Sequence, residues 1–176
     1  MSRQVQNLTI AGIMATLIMM MTAYICHVPI GVNGGYLHFG DTFIYLAAVL
    51  LPKPYALAAA AIGGGMADLL TAPMWAPATV VIKMLLVLPF TAKGKKLVTF
   101  RNIFATVIGY LISGFGYFLA EYLLFGTWTV LVVSMGQTLV QSLGSAVFFV
   151  ALGLAFDRVG VKRRFFGQDL PRVEGR

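Results

Sequence analysis

The chain has 176 residues, of which 59% are hydrophobic and only 11% charged, against about 25% charged in an ordinary soluble domain. With a mean hydropathy of +0.86, it carries too little charge to cover a water-exposed surface. The net charge of +7 is not a nucleic-acid footprint, because the basic residues fall between apolar runs and at the chain ends rather than along one face among aromatics.

At about 20 residues per crossing, this length accommodates an all-α integral membrane fold of six transmembrane helices, with residues 1–176 as a single domain. The first span is predicted over Leu8 to Cys26. Arg3 precedes it, but the run is long for a signal peptide and no small-x-small cleavage site follows, so it reads as a retained helix. Cys26 has no second cysteine to pair with and no metal-ligand spacing around it, which leaves packing as its role. His27 to Gly35 is a Gly- and Pro-containing loop. The second span, Leu37 to Leu51, is short. Pro52-Lys53-Pro54 turns the chain into a third span, Tyr55 to Leu70, and Thr71 to Pro77 breaks it. The fourth span is predicted over Ala78 to Phe90, the fifth over Asn102 to Phe125, and the sixth over Val130 to Phe156, with a basic tail after it. No internal repeat is visible.

The basic residues set the direction. With an inside N-terminus, Arg3, Lys53, Lys93, Lys95, Lys96, Arg101, Arg158, Lys162, Arg163, Arg164, Arg172 and Arg176 all fall on the inside, 12 of the 13 basic residues. The outside loops hold none. The expectation is therefore that both termini are cytoplasmic.

Small residues recur within the spans. Ala11 and Ala15 form a small-xxx-small pair on the first, Ala56, Ala60 and Gly64 continue the pattern on the third, and Gly109, Gly114 and Gly116 lie on the fifth. Such residues let helix backbones approach closely in lipid. Packing within the bundle and docking to another membrane protein both remain open.

Ionisable groups inside a membrane are costly and mark candidate sites. In this topology Asp41, Asp68 and Glu121 lie in the outer half. Lys83 is the one base there, roughly 10 Å down the fourth helix. A Lys83–Asp68 pair is one reading, and Lys83 contacting a polar ligand atom is the other. Asn33, Tyr36, His38 and Asp41 form the most polar outer segment. An acid at Asp41 also suits the start of a helix, and His38 also reads as an interfacial histidine. Trp75 is either an interfacial anchor or one wall of a pocket. Gln137 and Gln141 lie one turn apart on the sixth span, with Ser134 and Ser145 on the same face. They serve either helix–helix hydrogen bonds or amide contacts to a heteroaromatic ligand. Tyr117 and Glu121 make a comparable one-turn pair on the fifth. There is no Walker Gly-Lys-Ser/Thr loop for ATP hydrolysis and no His-Glu-x-x-His motif. No cofactor and no metal site are expected.

Ala11-x-x-x-Ala15, Gly35-Tyr-Leu-His-Phe-Gly-Asp41, Leu50-Leu-Pro-Lys-Pro-Tyr55, Gly63-Gly-Gly-Met-Ala-Asp68, Trp75-Ala-Pro-Ala78 and Lys83 together resemble the S components of energy-coupling factor (ECF) transporters, in the riboflavin-type branch. The resemblance covers the chain from Ala11 to about Lys83. It implies a six-helix fold with a substrate pocket near the outer face, in a multi-pass protein of a prokaryotic cell membrane. It implies a small vitamin bound without chemistry, with vitamin B6 or the hydroxymethylpyrimidine precursor of thiamine favoured and riboflavin the competitor. Ala11 and Ala15 would contact a transmembrane coupling subunit, which in turn works with two cytoplasmic ATPase subunits. The candidate substrate-binding set is Asn33, Tyr36, His38, Asp41, Asp68, Trp75, Lys83, Tyr117, Glu121, Gln137 and Gln141. Two rivals are a membrane enzyme using His38, Asp41 and Asp68, which lacks a nucleophile–base cluster, and a stand-alone secondary transporter. The latter calls for helices broken near the midplane, for which Gly63-Gly-Gly65 offers one position.

Overall fold

A computed structural model of the chain describes residues 2–25, 27–29, 36–126, 128 and 130–166. Cys26, Asn33 and the basic residues Arg172 and Arg176 lie outside the described residues, as do the side chains of Tyr36 and Ser134. Each expected span contains a helix. α1 runs Arg3–Met20 and continues as a π-helical stretch, Met21–Ile25. α2 is Asp41–Leu50, α3 Lys53–Thr71, α4 Ala76–Val87, α5 Phe100–Phe125 and α6 Val130–Val159. A short α7, Val161–Phe166, follows. Two dipeptide strands between α1 and α2, β1 (Val28–Pro29) and β2 (Tyr36–Leu37), pair antiparallel where only a loop was expected.

The ends are set locally. The Ser2 hydroxyl accepts from the Val5 N–H and starts α1 several residues before the apolar run. Thr99 accepts from the Asn102 N–H at the start of α5. Gly126, at φ 70°, terminates α5 in the left-handed conformation. Lys53 closes α4: its ammonium donates to the carbonyls of Val87 at 2.8 Å, Leu88 at 2.7 Å and Phe90 at 2.9 Å. All three ammonium protons thus meet carbonyls at a helix C-terminus, where positive charge is favoured. The basic loop between α4 and α5 is tied down as well. The Asp157 carboxylate accepts from the N–H groups of Leu97 and Val98, and the Asn102 amide bonds the backbone of Thr91 and Leu97.

Packing is inverted relative to a soluble protein. α5 turns Phe104, Val107, Leu111, Phe115, Leu119 and Leu123 outward, one row at helical spacing, while Asn102, Thr106 and Ser113 are buried. An exposed apolar belt of this extent is a lipid-facing surface. Among the described residues three helices are long and apolar enough to cross a bilayer: Arg3–Ile25, Phe100–Phe125 and Met135–Val159. α2 is different. It has 10 residues, so it extends only about 15 Å, and nine of the ten are buried. It is a central strut enclosed by its neighbours.

Small residues set the closest approaches. A Cβ on Gly63 would lie 2.6 Å from the Ala15 carbonyl oxygen, and one on Gly64 2.8 Å from Lys83 Cγ. α3 stays helical through Gly63-Gly-Gly65, so the glycines serve packing, and the helix break offered for a secondary transporter is not there. Ala11 and Ala15 are themselves buried. Beside them α1 and α3 leave a groove of about 390 Å³ that includes Gly12, Thr16, Ala58, Ile62 and Met66.

Candidate functional site

Lys83 lies on α4, seven residues beyond Ala76, and its aliphatic stem passes over Gly64. Its ammonium meets Asp41 Oδ1 at 2.6 Å. Both side chains are buried, at 1% and 0% exposure. A Lys83–Asp68 pair was one of the two readings the sequence left open, and the ion pair is made to Asp41 instead. α2 enters the middle of the bundle with Asp41 in its first turn, which brings that carboxylate onto Lys83. Asp68, in the last turn of α3, accepts a hydrogen bond from the Thr79 hydroxyl. Thr79 lies one turn before Lys83 on the same face of α4.

The remaining Asp41 oxygen accepts from the Gln141 amide at 3.1 Å. Thr42, next on α2, donates to the Ser145 carbonyl at 3.1 Å, so α2 and α6 are joined twice. Tyr117 on α5 approaches from the opposite side. Its hydroxyl is 3.1 Å from Thr79 Oγ1, and its ring centroid is 5.5 Å from the Lys83 ammonium, within the range of a cation–π contact. Trp75 packs edge-on to Tyr117 at 6.4 Å and against Phe125 at 6.3 Å. Five helices, α2 to α6, therefore contribute to one network.

His38 is buried beside this network. Its Nδ1 accepts from the Gly40 N–H at 3.1 Å. A backbone N–H can only donate, so Nδ1 carries no proton and the ring is neutral. Gly40 is required there, because a Cβ would collide with the Thr22 hydroxyl on the π-helical stretch.

Three helices each carry a further buried hydroxyl one turn along from a network residue. Tyr45 follows Asp41 by four residues on α2, Ser145 follows Gln141 by four on α6, and Ser113 precedes Tyr117 by four on α5. All three are fully buried, and their hydroxyls have no hydrogen-bond partner among the described residues. A buried hydroxyl without a partner costs about 1–3 kcal/mol. The Tyr45 ring is set between Phe90 and Phe149, at 4.9 and 5.9 Å between centroids, with its hydroxyl toward Gly109.

Of the sequence-predicted set, His38, Asp41, Asp68, Trp75, Lys83, Tyr117 and Gln141 are brought together. Glu121 and Gln137 lie one turn from Tyr117 and Gln141 and are partly buried. Sequence reasoning missed Thr79, Tyr45 and Ser113. The spacing of Thr79 to Lys83, and of Tyr45 to Asp41, was the available signal.

The family described as ECF-type riboflavin transporter, S component, matches residues 2–158. The chain belongs to this family. An uncharacterized protein in gap 3'region from Pyrococcus woesei is 33% identical over 108 residues, which cover 60% of this chain and 72% of that protein. The S component is thus a membrane protein and a substrate-binding subunit of an ECF importer, in a transport family rather than an enzyme family. Such a subunit works with a transmembrane coupling subunit and an ATPase module.

Proposed function

We propose that this S component captures a small heteroaromatic vitamin at the Asp41–Lys83–Asp68 network and presents it for ATP-driven uptake by partner subunits. The observation that carries the reading is the buried network itself, an ion pair joined by Gln141, Thr79 and Tyr117. A membrane interior retains such groups for function. Its polar groups fix the orientation of a flat ring, and Trp75 and Tyr117 supply the aromatic walls. Vitamin B6 and hydroxymethylpyrimidine, small rings with polar substituents, are the favoured cargo. Riboflavin is the second reading, favoured by the description of the matching family.

The proposed frame is six spans with both termini in the cytoplasm of a prokaryotic cell. The α1–α3 groove forms the face toward the coupling subunit, and Ala11 and Ala15 form its floor. Asn33 and Tyr36 complete the outer side of the site.

The test is mass spectrometry of small molecules released from the purified protein, followed by titration with pyridoxine, pyridoxal, hydroxymethylpyrimidine, thiamine and riboflavin. The expected result is one B6 vitamer or hydroxymethylpyrimidine bound tightly at about one per chain. Tight riboflavin binding instead selects the second reading. Binding of none of the five rejects both.

A further inference from the structure

At the opposite end of the bundle from the Lys83 network, α1, α7 and the loop after α4 enclose a cavity of about 540 Å³. Four cations line it: Arg3, Lys93, Lys162 and Arg164. No acid does. Lys162 is the informative one. It is 4% exposed, and its ammonium has no hydrogen-bond partner among the described residues. Burial pushes that ammonium below the usual lysine range, and nearby Asp157 acts the other way. Asp157 already accepts two backbone N–H groups. A buried ammonium without a hydrogen-bond partner, beside Lys93 and Arg164, is an arrangement completed by an anion.

The cavity wall also says which kind of anion. Arginine forks match phosphate oxygens in pairs, and lysine adds a point charge. Leu50 and Phe165 supply apolar wall beside the charges. Phe165 is exposed on α7 next to Arg164, the mixture of a helix lying at a membrane–water interface. The Gln6 amide donates to the Phe165 carbonyl, which ties α7 to α1 across the cavity. We propose that this cavity binds the phosphate of an anionic phospholipid headgroup. Basic pockets among helix ends at a membrane surface suit such groups. The site is separate from the vitamin site, so the two can be measured on one sample.

The experiment is native mass spectrometry of the full detergent-purified chain, supplied in turn with phosphatidylglycerol, phosphatidylcholine and inorganic phosphate. Thermal melts and vitamin titrations are run on the same preparations. The unaltered chain should retain phosphatidylglycerol through delipidation and melt higher with it, and phosphatidylcholine should do neither. Lys162→Met combined with Arg164→Gln should lower phosphatidylglycerol retention at least tenfold and leave vitamin affinity unchanged. Lys162→Arg should keep it. Arg164 is exposed, so Arg164→Gln alone decides if the double variant fails to fold, with a severalfold loss expected. Equal retention by variant and parent, or equal retention of the two lipids, overturns the proposal. So does stabilisation by inorganic phosphate that matches the lipid, which assigns the cavity to a free anion. Absence of vitamin binding with lipid retention intact refutes the cargo reading and not this one.

Discussion

Lys83 is held by Asp41 at 2.6 Å with both groups buried. Removing one partner of such a pair leaves an uncompensated charge, at a cost of about 3–5 kcal/mol. Lys83→Met should therefore destabilise the protein by about that much, and Asp41→Asn added to it should restore a large part, read as melting temperature in detergent. A Lys83→Met protein as stable as the parent would show that the pair is solvated. Trp75 acts through its ring, which packs against Tyr117. Aromatic pairs contribute about 0.5–1.5 kcal/mol, so Trp75→Ala should weaken vitamin binding roughly three- to tenfold by titration. Unchanged affinity removes Trp75 from the site. The sequence marked Lys83, Asp41 and Asp68 as costly groups in an apolar setting, and all three are in the network. Which carboxylate meets the lysine was not legible. Asp68 is the nearer in sequence, and only the placement of α2 at the centre of the bundle brings in Asp41.

The helices were legible because lipid demands long apolar runs, broken by Pro, Gly and charge. α2 shows where that logic thins. Its apolar run reads as a short span, whereas its neighbours bury nine of its ten residues, so hydropathy reports enclosure by protein as readily as enclosure by lipid. The small-residue pattern on α1 was legible too, but its two readings share one surface. Ala11 and Ala15 pack inside the bundle, and the open face of the α1–α3 groove belongs to Gly12 and Thr16. A Cβ on Gly12 meets nothing within 4 Å. Gly12→Trp should accordingly leave melting temperature and vitamin affinity unchanged, and abolish co-purification with the coupling subunit. Normal assembly of that variant would place the docking face elsewhere.

The asymmetry of charge is the argument for the proposed direction of the whole bundle. Lys53, Lys93, Lys95 and Lys96 gather at one end, and Trp75 and Asp68 lie toward the other. In a Cys26→Ser background, Met74→Cys should react with a membrane-impermeant maleimide in intact cells. Lys95→Cys should react only after permeabilisation. Both positions are exposed in the structure, so a reversed pattern inverts the topology and labelling of both from outside breaks the span count. The same asymmetry explains why orientation could be argued before any contact was known: it is a sum over many residues and does not depend on a single pairing.

The links from α2 to α6 also bear on the order in which the chain is made. Asp41 waits 100 residues for Gln141, and Thr42 waits 103 for Ser145. During synthesis α2 is therefore a short helix carrying a carboxylate whose amide partner has not yet been translated. It is too short to settle across a bilayer alone, and its enclosure is completed only when α6 arrives. Chains that stall before α6 would hold Asp41 by Lys83 alone, with its second oxygen still lacking the Gln141 amide.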